Sequence, residues 1–195
     1  MPGEVNTERR LEHVFAGSLG IAVLLTTSLD FFRIFASISL GFFVTASFFL
    51  ERDEVSSARK VLFRDIERTR EPNRFPVEVA VPLIMGPLVS SFLGNPRGVL
   101  AGLLLLTFSD SISSVVGKLL GYRPNPLNRS KNIEGTIAAI VVGALLLLLL
   151  MPLTEAVIIS AAVMSLESLS IGYQDFELDD NIMIPVLTSI LYNLI

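Results

Sequence analysis

Phe108 to Thr136 reads FSDSISSVVGKLLGYRPNPLNRSKNIEGT, and the rest of the chain is organised around it. The stretch starts inside an apolar segment that carries an aspartate, Asp110. It passes Gly117-Lys118-Leu119-Leu120-Gly121 and a short basic loop. It closes on Lys131-Asn132-Ile133-Glu134-Gly135-Thr136, just before a second long apolar run. An acid at membrane depth, small residues, basic side chains and a second acid together point to a phosphate and metal site at a membrane surface.

Outward from this stretch, the composition supports a membrane protein. Hydrophobic residues make up 51% of the 195 residues, and the mean hydropathy is +0.64. They fall in blocks near the roughly 20 residues that cross a bilayer as a helix. The spacing predicts spans over about 14–29, 34–50, 77–93, 99–119, 136–151 and 156–171, with a last apolar segment after Asn181. The expected fold is all-α, a single domain over 1–195 with about seven transmembrane helices in one bundle. Asp30 to Arg33 is expected to be a tight turn, as is Gly94 to Gly98. Between spans two and three lies a polar stretch, 51–76, with seven basic and six acidic residues. Its centre, 57–70, is expected to form a surface helix with i,i+4 charge pairs. The first apolar segment lacks a small-residue cleavage site and is expected to be retained.

With the N-terminus in the cytoplasm, 13 of the 15 Lys and Arg fall inside, leaving only Arg33 and Arg97 outside. The expectation is an integral cell-membrane protein with its charged loops cytoplasmic. The net charge of −4 gives no basic excess, so a nucleic-acid partner is not expected. The absence of Cys excludes disulfides and thiolate chemistry, and a single histidine, His13, excludes a multi-His metal site.

Asp110, Ser113, Ser114 and Gly117 share one helix face. A helix contact would explain the serines by packing but not the aspartate. Lys131 can neutralise phosphate oxygens, Glu134 can hold magnesium, and Gly135 permits close backbone approach. The competing reading is a basic flank anchoring a span. Gly117 and Gly121 have GxxxG spacing, which by itself speaks first for helix packing. Glu167 is a second acid within a span, and Asp179-Asp180-Asn181 opens the last segment, one aspartate being a candidate N-cap.

In sequence order, Arg9-Arg10-Leu11-Glu12-His13 with Gly17, Arg64 with Glu67, Asp110 with Gly117 and Gly121, Lys131 to Thr136, and Glu167 with Asp180-Asn181 and Pro185 resemble the motifs of the CTP-dependent polyprenol kinases. That family includes dolichol kinase, phytol kinase and CTP-dependent diacylglycerol kinases, with phosphatidate cytidylyltransferases as distant relatives. The resemblance covers nearly the whole chain. Ser109, Ser113, Arg10 and Asn132 depart from the usual residues without removing a charge. The chain also lacks the C-terminal His-Gly-Gly signature of the cytidylyltransferases.

The resemblance implies transfer of the γ-phosphoryl of CTP to an isoprenoid alcohol at the cytoplasmic face, with Mg2+ or another divalent cation. It implies catalytic roles for Asp110, Lys131 and Glu134. Nucleotide contacts would come from Arg9, Arg10, His13, Gly117, Gly121, Lys131, Gly135 and Asn181, and metal ligation from Asp110, Glu134, Glu167 and Asp180. The partners implied are CTP, the lipid alcohol and membrane lipids. The alternatives are a cytidylyltransferase making a CDP-lipid and a small membrane transporter whose buried acids line a cation path.

Overall fold

A computed structural model of the chain describes residues 7–50, 76–126, 128, 131–169, 172–173, 176–177 and 179–195. Arg64, Glu67 and the expected surface helix over 57–70 lie outside the described residues. The described chain is almost entirely helical. Seven helices run in order: α1 Thr7–Thr26, α2 Leu29–Leu50, α3 Pro76–Leu93, α4 Pro96–Leu120, α5 Ile133–Leu147, α6 Leu153–Ser168 and α7 Asp180–Leu194. Between α6 and α7, Gly172–Tyr173 (β1) and Phe176–Glu177 (β2) form a two-residue antiparallel hairpin, a detail that the acidic sequence there does not announce.

Two of the helices are long and apolar enough to cross a membrane, over Leu29–Ala46 and Pro96–Leu120. Their settings differ. Only 11% of the first stretch is buried, against 56% of the second, so α4 is the central helix and α2 lies outside it.

Local chemistry explains the boundaries. Ser28 caps α2 through its hydroxyl, which accepts from the Phe31 N–H at 3.2 Å. Asp30 follows in the first turn, where its charge suits the helix dipole. The tight turn expected at Asp30–Arg33 is therefore corrected: these residues are already helical. Arg33 pairs with Asp30 at 2.8 Å, donates from Nε to the Ser91 carbonyl at 3.2 Å and lies 5.0 Å over the Phe92 ring. Asn95 caps α4 by accepting from the Gly98 N–H at 2.9 Å, and Pro96 fills the first helical position, where no N–H is required.

Helix α4 carries the core on two sides. Leu105 and Leu106 pack with Ala139, Leu147, Ile159, Met164 and Ile184 of α5, α6 and α7. Val99 and Leu103 pack with Leu24, Phe32 and Ala36 of α1 and α2. A π-helical turn over Leu105–Ser109 interrupts α4 immediately before Asp110. Such turns insert one residue into the helical register and recur at functional sites.

Small residues set how closely the helices approach. A Cβ on Gly102 would lie 2.8 Å from the Pro185 Cα of α7, and one on Gly135 would lie 3.2 Å from the Gly117 backbone. The outer faces are apolar. Phe31, Ile34, Ile38 and Phe42 of α2 and Ile137, Val141 and Leu145 of α5 are all exposed at helical spacing. A water-soluble monomer rarely exposes continuous apolar faces of this extent.

Gly102→Ala should therefore force α4 and α7 apart and destabilise the protein by about 1–3 kcal/mol, the usual cost of overpacking. Gly41→Ala, with open space around it, should cause no loss. Thermal unfolding of the two variants in detergent checks the contrast.

Candidate functional site

The loop between α4 and α5 is closed by its own backbone. Pro124 and Asn132 form a β-bridge, the Asn125 N–H donates to Lys131 O at 2.8 Å, and the Ile133 N–H donates to Arg123 O at 3.0 Å. Two asparagine side chains anchor it. Asn132 Nδ2 donates to Gly117 O at 2.7 Å on α4, and Asn125 Nδ2 donates to Ser168 Oγ at 3.2 Å at the end of α6. Neither asparagine stands out in the sequence. The only signal is their position, Asn125 between two prolines and Asn132 directly after Lys131.

This closure delivers Lys131 to the C-terminal end of α6 and the start of α7. Lys131 Nζ donates to the Glu167 carbonyl at 2.9 Å, to Glu167 Oε1, and to Asp180 Oδ2 at 3.0 Å. A cation at a helix C-terminus also meets the favourable end of the dipole. Burial works against the charge on Lys131. The Glu167 and Asp180 carboxylates outweigh it and hold the ammonium above the usual lysine range. Glu167 is the most enclosed member, with a side chain only 2% exposed. Its second oxygen, Oε2, is buried without a hydrogen-bond partner among the described residues. Asp110 lies near enough for its charge to act on both Glu167 and Asp180. The structure thus brings together Asp110, Lys131, Glu167 and Asp180, which are spread over 71 positions of sequence.

A second contact joins the chain's two ends. His13 Nε2 of α1 and Asn181 Oδ1 of α7 are hydrogen-bonded at 2.6 Å, and His13 Nδ1 is buried without a described partner. Asp179 caps α7 by accepting from the Asn181 N–H at 2.9 Å, as its position suggests. The N-cap turn therefore holds Asn181 toward His13 and Asp180 toward Lys131.

Other expected site residues stand apart. Glu134 is half-buried in the first turn of α5 and, among the described residues, accepts only a long bond, 3.4 Å, from the Arg123 N–H. The space beside Gly121 is taken by Asn132 and the Gly117 carbonyl, and that beside Gly135 by the Ser113 carbonyl, whereas a Cβ on Gly117 would make only ordinary contact with Asn132 and Gly135. Gly121 and Gly135 thus serve the closure of the loop onto α4. Arg9 and Arg10 belong to the first turn of α1, and their side chains lie outside the described residues. Among the described residues, no three His, Asp or Glu side chains are grouped so as to hold a metal ion. The acids near Asp110 are instead bridged by the lysine.

Sequence reasoning missed three buried hydroxyls: Ser90, Thr107 and Ser109 place Oγ or Oγ1 in the interior without a described partner. Two of them lie in the π-turn that precedes Asp110. Compared with models of protein families, with curated proteins and with solved structures, the chain matches none.

Removing one partner from a buried ion pair leaves a charge with neither water nor counter-ion. Lys131→Ala should thus destabilise the protein by about 3–5 kcal/mol in the absence of added cations. Lys131→Arg, which keeps the charge, should lose much less. Unfolding midpoints of the two variants distinguish them.

Proposed function

We propose that the chain is an integral-membrane lipid kinase that moves the γ-phosphoryl group of CTP to the hydroxyl of an isoprenoid alcohol. In this reading all seven helices lie in the bilayer, and the loops that carry Lys131 and Asp180 face the cytoplasm. The observation that carries it is the convergence of Asp110, Lys131, Glu167 and Asp180 beneath a loop closed onto α4 and α6. The apolar outer faces support the bilayer setting. The ordered motif resemblance supports the choice of nucleotide and alcohol.

Phosphoryl transfer needs positioning and charge neutralisation more than covalent help from the protein. Lys131, Arg9 and Arg10 supply positive charge for the triphosphate oxygens. Asp110 accepts the proton of the alcohol hydroxyl as it attacks the γ-phosphorus, and CDP leaves. The lipid tail lies against the apolar helices, with its hydroxyl at the polar end of the group. The donors are all carboxylate oxygens, which suit a hard cation such as magnesium. The resemblance implies Asp110, Glu134, Glu167 and Asp180 as its ligands, but as placed the described acids are not grouped to hold a metal ion, and no step is routed through one.

The test is transfer by purified protein in detergent, with a panel of lipid alcohols and CTP labelled separately at the γ- and α-phosphates. Label in lipid from the γ-position alone is the expected outcome. Label from the α-position assigns the chain to the cytidylyltransferases. No transfer and no CTP binding rejects both and favours a cation transporter. Asp110→Asn should reduce transfer by about 10²–10⁴-fold, the usual contribution of a general base, without lowering the unfolding midpoint.

A further inference from the structure

The π-turn of α4 is held against its own hydrogen-bonding preference. Its closing bond runs from the Asp110 N–H to Leu105 O, five residues back instead of four. Thr107 and Ser109 lie within it, both fully buried, and neither hydroxyl has a described partner. In α-helical register such a hydroxyl can bond back to the carbonyl four residues earlier. Ser111 does so to Thr107 O at 2.7 Å, and Thr188 to Ile184 O at 2.6 Å. An unbonded buried hydroxyl costs free energy. The run from Leu105 to Ser109 therefore gains nothing from π geometry by itself, and contacts from outside the turn must hold it there.

Those contacts come from two glycines on different helices. Gly17 of α1 faces Thr107. A Cβ on Gly17 would collide with Thr107 Oγ1 and lie 2.8 Å from its Cγ2 and 2.9 Å from its Cβ. Gly143 of α5 faces Leu105 and Ser109. A Cβ there would collide with Ser160 Oγ and lie 2.7 Å from Leu105 Cδ2 and 2.9 Å from Ser109 Oγ. Alternate residues of the turn are thus seated in two notches, and the notches differ in stiffness. The atoms at Gly143 are the ends of side chains that can rotate. Those at Gly17 belong to one β-branched side chain as far back as its Cβ, with little rotamer freedom.

We propose that Gly17 is a positioning residue for α4: by seating Thr107 it keeps the π register, with Gly143 as the second support, and so sets the direction in which the half-helix from Asp110 to Leu120 faces. An α-helix turns about 100° per residue. Expelling the extra residue from the turn would rotate that half by about this angle, and Asp110, at its start, would leave the face it now occupies. Only the consequence for phosphoryl transfer rests on the kinase reading, in which Asp110 receives a proton. The register stands without it.

The test reads register, not activity. The chain has no Cys, so cysteines introduced singly at 111–116 of the full-length protein can be spin-labelled in detergent without background. Collision of the label with oxygen, measured by electron paramagnetic resonance, should peak at position 114, since Ser114 is the exposed residue of that run. In Gly17→Ala the peak should move by one residue, to position 113, because each residue after a straightened turn takes the place of its successor. Gly41→Ala, with open space around it, should leave the peak at 114. Substitution that merely loosens packing lowers the unfolding midpoint without moving the peak. A peak that stays at 114 in Gly17→Ala, or that is lost, overturns the proposal. If Gly17→Ala does not fold, Thr107→Ala decides the case: it empties the notch without adding an atom, and the same move to 113 is expected, with an unmoved peak overturning the proposal. No CTP is used, so a failure of phosphoryl transfer and a failure of the register remain separate results.

Discussion

The ammonium of Lys131, held by Glu167 and Asp180, is the constraint to which the surrounding structure answers. A carboxylate as enclosed as Glu167 is stable only when paired or bonded. Its partner comes from a loop, and that loop must be held still. The Pro124–Asn132 bridge and the Asn125 and Asn132 side chains do this by tying the loop to α6 and α4. Asp180 reaches the same ammonium because Asp179 caps α7 and sets the position of its first turn. Three helices and a loop are thereby joined at one charge.

The close approach of the helices depends on side chains that are missing or small. Gly102 admits the Pro185 backbone, and Gly135 meets Gly117 where α5 starts against α4. Some buried hydroxyls satisfy themselves locally, as Thr188 does by donating to Ile184 O at 2.6 Å, whereas Ser90, Thr107 and Ser109 have no described partner. These small residues sit among large buried apolar side chains such as Leu105, Leu147, Ile159 and Met164, while Phe31, Ile34 and Ile137 make the outer faces of α2 and α5 apolar as well.

Much of the helical order was legible in the chain, because long apolar runs punctuated by Pro, Gly and Asn mark helices whatever surrounds them. The expected segments overlap the helices over 7–26, 29–50, 76–93, 96–120, 133–147, 153–168 and 180–194. Boundaries shifted where capping chemistry overruled apparent turns. Ser28 starts α2 before Asp30, and Asn95 with Pro96 starts α4 inside what reads as a turn. The π-turn was not legible, because a change of one residue in hydrogen-bond register leaves no mark on an apolar sequence such as Leu105 to Ser109. In the site, residue types were readable but partners were not. Lys131 looked like a free phosphate ligand because nothing within ten residues of it foretells a pairing with Glu167 or Asp180.

The sequence by itself determined the helical class, the positions of the apolar segments and the presence of Asp110 and Glu167 within them, since hydropathy and helix-breaking chemistry act between near neighbours. The tertiary structure decided which charges meet. Lys131 reaches Glu167 across 36 positions and Asp180 across 49, while His13 reaches Asn181 across 168. Those distances are closed by helix packing around α4, and packing is set by the shapes of side chains far apart in the chain.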